Sequence, residues 1–472
     1  MPPFRIFALA LASLPGIAPT AAAAPELAPL FQDRAVLQRE KPVPVWGRAT
    51  PGEHVSVSFA GQTVGATAGS DGRWIAVLAP LAENASGSDL TVSGKATVTL
   101  HDVVVGEVWL CAGESNMEFA VDDGGTSYRV ENAAAEVAAA RFPLIRHFKV
   151  ARQASASPMA SASGEWSACT PATVGRFTAA GYFFAREIFT RLGTPVGIVN
   201  STWGGTPIEA WMSPAALAAF PGFSNGHPAA GADSRGGDPW APGSLFNGMI
   251  QPLLPYAIRG TVWYQGESNV GRASLYAAQF PVLISSWRSH FGGGDFPFLW
   301  VQLANFSPPT QGQGDQWAYL REAQSRALSL PSTGQAVTID IGELGSMFPK
   351  NKREVGRRLA LIAKAMVYSI PVEHSGPVPS RATPEGPVIR VQFQFADEGL
   401  TASGKPLQSF EVAGPDRVFH SAGATIRGDT VVVRSPAVAQ PTAVRYAWRN
   451  APEANLYNGA GLPAAPFRSD DW

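Results

Sequence analysis

Between about residues 29 and 102, apolar and polar positions alternate in short runs such as Val55, Val57 and Phe59, broken by turn chemistry like Ser70-Asp71-Gly72-Arg73. Alternation of period two marks strands with one buried face, and this stretch predicts a small antiparallel β module. After Gly106 the texture changes. Near-continuous apolar runs at 108–111, 196–200, 260–264, 298–303 and 336–340 alternate with amphipathic stretches at 181–192 and 351–368. In the last of these, Val355, Leu359, Ile362 and Met366 recur at helical spacing. Strands buried on both faces and joined by helices predict an α/β domain of three layers around a parallel sheet. Alternating runs return at 388–395 and 430–433, predicting a C-terminal β module. The stretch 219–244, rich in Gly, Pro, Ser and Ala, predicts a long surface loop.

A chain of 472 residues exceeds what one core usually supports, which agrees with several domains. The expected division is a leader over 1–24, an N-terminal β module over 25–105, the α/β domain over 106–372 and the C-terminal β module over 373–472. The leader is read from one early charge (Arg5), a short apolar stretch broken by Pro15 and a small-residue end; it predicts export to the periplasm or the exterior. No later run is long and apolar enough for a membrane span. Lys plus Arg (36) and Asp plus Glu (37) nearly cancel, without a basic stripe interleaved with aromatics, so nucleic acid is not an expected partner. Two cysteines, Cys111 and Cys169, give neither a disulfide framework nor a cysteine zinc site; a single pair and two separate buried thiols both fit.

In a parallel sheet, reactive groups sit on loops beyond the carboxyl ends of the strands. Two of those loops carry the same tetrapeptide, Gly113-Glu114-Ser115-Asn116 and Gly266-Glu267-Ser268-Asn269. There is no Gly-rich phosphate loop, no His-Glu-x-x-His helix and no Gly-x-Ser-x-Gly elbow, which argues against kinases, zinc proteases and α/β-hydrolases proper.

The block from Val108 to Phe119, containing Gly113-Glu114-Ser115-Asn116-Met117, resembles the nucleophile turn of the sialate O-acetylesterase family, an SGNH-type group of carbohydrate esterases. Three further blocks follow in family order: Asn200-Ser201-Thr202-Trp203-Gly204-Gly205, Trp263-Tyr264-Gln265-Gly266-Glu267-Ser268-Asn269, and the ending Gly461-Leu462-Pro463 to Arg468. The resemblance implies an SGNH-hydrolase-like parallel sheet and a serine esterase acting on an acetylated sugar or glycan, with no cofactor and no metal. It assigns Ser115 as nucleophile, and the N–H groups of Ser115 and Gly205 and the side chain of Gln265 as oxyanion donors. Glu267 and Asn269 would order the site.

The chain departs from the family pattern twice. Glu114 stands where glutamine is usual, and in Gly345-Ser346-Met347-Phe348-Pro349-Lys350 the residues Ser346 and Phe348 occupy the places of the usual aspartate and histidine. Phenylalanine cannot take a proton. The substitutes are His227 and His374 among the seven histidines, or a carboxylate raised by burial, namely Glu114, Glu267 or Glu343. A glycan-binding pseudo-esterase is the rival expectation.

Overall fold

The computed structural model describes residues 24–125, 128–220, 237–307 and 314–472. The expected leader (apart from Ala24), His227 and most of the 219–244 stretch lie outside the described residues.

The N-terminal module contains β1 (Glu26–Leu27), β2 (Val36–Gln38), β3 (Val43–Arg48), β4 (His54–Phe59), β5 (Gln62–Thr67), β6 (Arg73–Leu78) and β7 (Asn84–Ser93). Along β6 the period-two pattern is realised directly, with Trp74, Ala76 and Leu78 buried and Arg73, Ile75 and Val77 exposed. β1, β3 and β6 form an antiparallel sheet. The 17-residue β8 (Thr97–Gly113) ties this module to the next domain. Its first part pairs antiparallel with β7, while its last part runs parallel between two strands of the central sheet. The expected boundary at 105/106 therefore falls inside one strand.

The central domain continues through α1 (Ser115–Glu118), α2 (Ala133–Ala139), β9 (Phe142–Lys149), β10 (Trp166–Cys169), α3 (Ala179–Leu192), β11 (Val196–Thr202), α4 (Pro214–Leu217), β12 (Gly260–Tyr264), α5 (Ala273–Phe291), β13 (Phe298–Val301), α6 (Gln316–Arg326), β14 (Thr333–Ala336) and α7 (Lys352–Met366). The order is β10-β9-β11-β8-β12-β13-β14, parallel except for the edge strand β10. Phe280 of α5 packs on Trp263, Phe298 and Trp300 on one face of the sheet. On the other face α3 and α7 lie together, with Phe184 edge-on to Trp109. Helices on both faces bury both sides of each strand and leave the carboxyl ends of β8, β11 and β12 along one rim. The strand expected over 336–340 lies instead at Thr333–Ala336. Beyond Ala336 the chain turns, with Thr338 Oγ1 donating to Gln302 O and Ile341 N–H to Thr338 O.

Residues 378–468 contribute a seven-stranded antiparallel sheet with its own core around Val391, Phe410, Val433 and Tyr446. Cys111 and Cys169 are separate buried thiols. No helix among the described residues is long and apolar enough to cross a membrane.

Candidate active site

β8 ends at Gly113, whose φ of +135° and close approach to the Tyr264 carbonyl oxygen leave no room for a Cβ. The chain then reverses into α1, and Ser115 is the first helical residue, half-buried on the rim. A first-turn N–H has no intrahelical acceptor, so the Ser115 amide is available to an anion. From the end of β11, Trp203-Gly204-Gly205 folds over this turn. Gly205 (φ +75°) donates its N–H to Ser115 Oγ at 3.1 Å. A side chain on Gly204 would begin 2.9 Å from the same Oγ, and Gly204 donates its N–H to Glu118 Oε2 at 2.9 Å.

Beneath the serine lies a buried polar network. Gln265 donates from Nε2 to Asn269 Oδ1 (2.8 Å) and to Thr206 O (3.3 Å), so its amide braces the loop after β11 and is not directed at Ser115 Oγ. Asn269 Oδ1 also accepts from Ile208 N–H, and its Nδ2 donates to Glu209, which Arg272 neutralises. Asn116 Nδ2 donates to Glu267 Oε1 (2.5 Å) and to Met347 O (3.0 Å). Lys352, at the start of α7, donates to Asn116 Oδ1 at 2.8 Å and stands 4.5 Å above the Phe119 ring. Burial lowers its ammonium to about 7, against the pull of Glu267 and Glu343.

The duplicated tetrapeptide explains itself here. Glu114 of the first copy accepts from Ser268 Oγ (2.6 Å) and from the N–H groups of Gly266 and Ser268 in the second, clamping the two loops together. Glu267 of the second copy returns the contact through Asn116 of the first. Burial raises both carboxyls above their ordinary range, and for Glu267 the neighbouring Glu114 adds to the effect. Both carboxyls are thereby biased toward their protonated forms.

Phe348 lies half-buried, edge-on to Tyr128 with ring centroids 5.0 Å apart. Ser346 accepts from Phe348 N–H at 3.1 Å and fixes the turn. No described imidazole hydrogen-bonds to Ser115. His147 is buried against Phe177 and held at about 3, by burial first and Lys149 second. His101 pairs with Asp89, His290 donates from Nδ1 to Ser286 O within its own helix, and His374 lies against Phe395. Among the carboxylates named from sequence, Glu343 accepts from Lys350 N–H at 2.7 Å, away from the serine turn.

Sequence reasoning missed Glu118, Lys149, Arg152 and Trp240. Glu118 Oε2 accepts from Arg152 Nη2 (2.6 Å) as well as from Gly204 N–H, and Lys149 Nζ stands 3.4 Å from Oε1. Burial opposes the Glu118 charge, yet Lys149 and Arg152 hold its carboxyl below the usual range. The Arg152 guanidinium also lies 5.6 Å over the Trp203 ring, and Trp240 Nε1 donates to Gly205 O at 2.7 Å. Glu118 was legible as the residue one helical turn beyond Ser115, on the same face. The two cations follow a strand that sequence did not reveal.

Comparison with known proteins gives the family. The family profile described as carbohydrate esterase, sialic acid-specific acetylesterase matches residues 105–362. The sialate O-acetylesterase of Pongo abelii is 30% identical over 92% of this chain and 90% of its own length, and that of Homo sapiens 32% identical over 73% and 72%. A crystal structure of a carbohydrate acetylesterase from Xanthomonas citri superposes with a TM-score of 0.87 at 43% identity, covering 95% of this chain and all of that one. The chain thus belongs to the carbohydrate esterase family of sialic acid-specific acetylesterases.

Proposed function

We propose that this chain is an exported carbohydrate O-acetylesterase of the SGNH type, with Ser115 as nucleophile. The carrying observation is the Gly205 N–H placed 3.1 Å from Ser115 Oγ at the carboxyl edge of the sheet. Ser115 Oγ attacks the acetyl carbonyl of a sugar ester and the N–H groups of Ser115 and Gly205 stabilise the oxyanion; the bond from the carbonyl carbon to the sugar oxygen breaks, the sugar leaves as its alcohol with the proton given up by the serine, and water hydrolyses the acetyl-serine to acetic acid and the free hydroxyl. Gln265, Glu267 and Asn269 act as positioning residues through the loops they brace. The family relatives named above are acetylesterases, and this supports the same reaction class here.

The second reading, a glycan-binding protein without turnover, is favoured by the aromatic contact of Phe348 with Tyr128 in the place that the resemblance gives to histidine. Lacking the base, a triad enzyme retains roughly 10³- to 10⁴-fold catalysis over water from binding and the oxyanion hole. Acetate release from an aryl acetate and an acetylated sugar, measured for wild type, Ser115→Ala and Phe348→His, separates the two. The esterase reading expects slow turnover abolished by Ser115→Ala and raised roughly 10²-fold or more by Phe348→His. Equal inertness of wild type and Ser115→Ala, with turnover appearing only in Phe348→His, overturns the catalytic reading of the natural chain.

A further inference from the structure

A cleft of about 700 Å³ opens between the exposed face of the N-terminal sheet and two segments of the α/β domain, residues 158–161 and 251–255. None of the residues placed around Ser115 lines it. Its floor is apolar: Trp46 of β3 lies directly opposite Ile75 of β6, with Trp46 half-buried and Ile75 49% exposed. Trp46 is held from behind by Phe31, edge-on at 4.9 Å, and by Tyr256 at 6.2 Å. Met159 closes the far wall, and Gln251 supplies an uncharged polar group on the rim. Arg48 and Arg73 face each other across the strands at one end, but Arg48 donates to Asp71 O at 2.7 Å and Arg73 pairs with the Asp71 carboxylate at 3.5 Å. Glu26 of β1, which also lines the cleft, lies in register with Arg48, so with Asp71 two carboxylates stand against the two guanidiniums and this end carries no net positive charge for an anion.

A braced indole face beside neutral hydrogen-bonding groups suits a sugar ring, which offers C–H groups on its faces and hydroxyls at its edge. The size falls within the range of about 300–1,000 Å³ typical of small-molecule sites, and joints between domains are common places for them. One stretch of chain links the cleft to the reactive serine. Arg152, bound to Glu118 one turn from Ser115, is followed seven residues later by Met159 in the cleft wall. That span reaches at most about 25 Å when extended, a distance a short oligosaccharide covers. Met159 N–H donates to Asn247 O, and Ser155 N–H to Ser244 O. The connecting stretch is thereby fixed to the segment whose Trp240 donates to Gly205.

We propose that this cleft is a distal subsite for the uncharged backbone of an acetylated glycan, so that the substrate is an oligosaccharide or polysaccharide rather than a single acetylated sugar. This rests on the esterase reading for the role of the distal chain, but not for binding itself. The test is calorimetric titration of the full-length protein with cellohexaose, xylohexaose and mannohexaose to roughly 10 mM, enough to detect millimolar affinity. Wild type is expected to bind at least one of the three. Ile75→Asp, at an exposed position where the fold tolerates a charge, and Trp46→Ala are each expected to weaken that binding about tenfold or more, with thermal melting as the check on folding. If Trp46→Ala fails to fold, Ile75→Asp decides. No binding of any hexasaccharide by wild type, or binding unaltered in Ile75→Asp, overturns the proposal. On acetylated oligosaccharides, kcat/KM should climb with chain length in wild type and lose that climb in Ile75→Asp. An inert wild type that still binds a hexasaccharide removes the esterase reading and leaves the cleft; an active wild type that binds none removes the cleft and leaves the esterase.

Discussion

At the scale of single residues, the Glu114 and Glu267 carboxyls make the sharpest prediction. Both are fully buried and both are raised, by burial first, so the folded chain keeps a proton that the unfolded chain releases once pH passes about 4.3. The folded state binds more protons above that pH, so the pair's contribution to stability is fully present below it and declines as pH rises through the folded values. Glu114→Gln removes one ionisable group of the pair, and its amide carbonyl still accepts from the N–H groups of Gly266 and Ser268. Thermal melts at pH 5 and pH 8 should show Glu114→Gln gaining more at pH 8, by roughly 2 °C. An equal gain at both values would show that the raised carboxyl does not set the pH dependence. The sequence made the departure at position 114 visible, because a short motif fixes which residue lies beside the serine. It did not reveal that the two copies of the tetrapeptide grip each other, since that contact joins residues 152 and 154 positions apart.

Element by element, legibility followed burial. β11 and β12 are buried at every position and read as unbroken apolar runs, so their loops, carrying Gly205 and Gln265, were located from sequence. β9 was not, because it carries Arg146, His147 and Lys149, and Arg146 is buried only by virtue of its ion pair with Asp102. A charge compensated by a distant residue looks like a solvated position until the partner is known. The consequence was functional, since Lys149 and Arg152 beside the serine follow from that strand. α7 is the opposite case, with a legible apolar stripe and a start fixed by Asn351, whose side chain accepts from Glu354 N–H at 3.1 Å. Removing that cap by Asn351→Ala should cost about 1 kcal/mol in a denaturant titration. Because Lys352 in the first turn of α7 holds Asn116, the same variant should lower kcat more than it raises KM. An unchanged kcat with the full loss of stability would separate the helix from the serine turn.

For the whole molecule, the question is how a site on the central sheet is tied to modules at both ends of the chain. At the N-terminal end the tie is covalent, because β8 pairs with β7 of the N-terminal module and with β11 and β12 of the central sheet. At the C-terminal end the ties include the ion pair of Arg468 with Glu322 of α6 and one buried cation of the same helix. Arg321 of α6 is fully buried, and burial lowers its guanidinium to about 9. It donates from Nε to Leu303 O (2.8 Å) and from Nη2 to Ala304 O (2.6 Å) in the loop after β13, and across the joint to Arg449 O and Asn450 O, each at 2.8 Å. Asn450 completes the seam by accepting from Trp317 N–H at 3.0 Å and donating its own N–H to Gly314 O. An arginine inside a helix otherwise reads as a surface residue, so nothing in the sequence marks this one as the joint. Arg321→Met keeps the length of the side chain and leaves four carbonyl oxygens, three of them in buried residues, without that donor, a loss of roughly 3–5 kcal/mol. Since two of those carbonyls lie on each side of the joint, the loss should fall on the docking of the modules and not on either core. Wild type is expected to unfold in urea with the α/β and C-terminal regions together, and Arg321→Met to split the transition, with limited proteolysis cutting between residues 366 and 378 before either region melts. A single transition, merely shifted to lower urea, would place the role of Arg321 within the α/β domain alone.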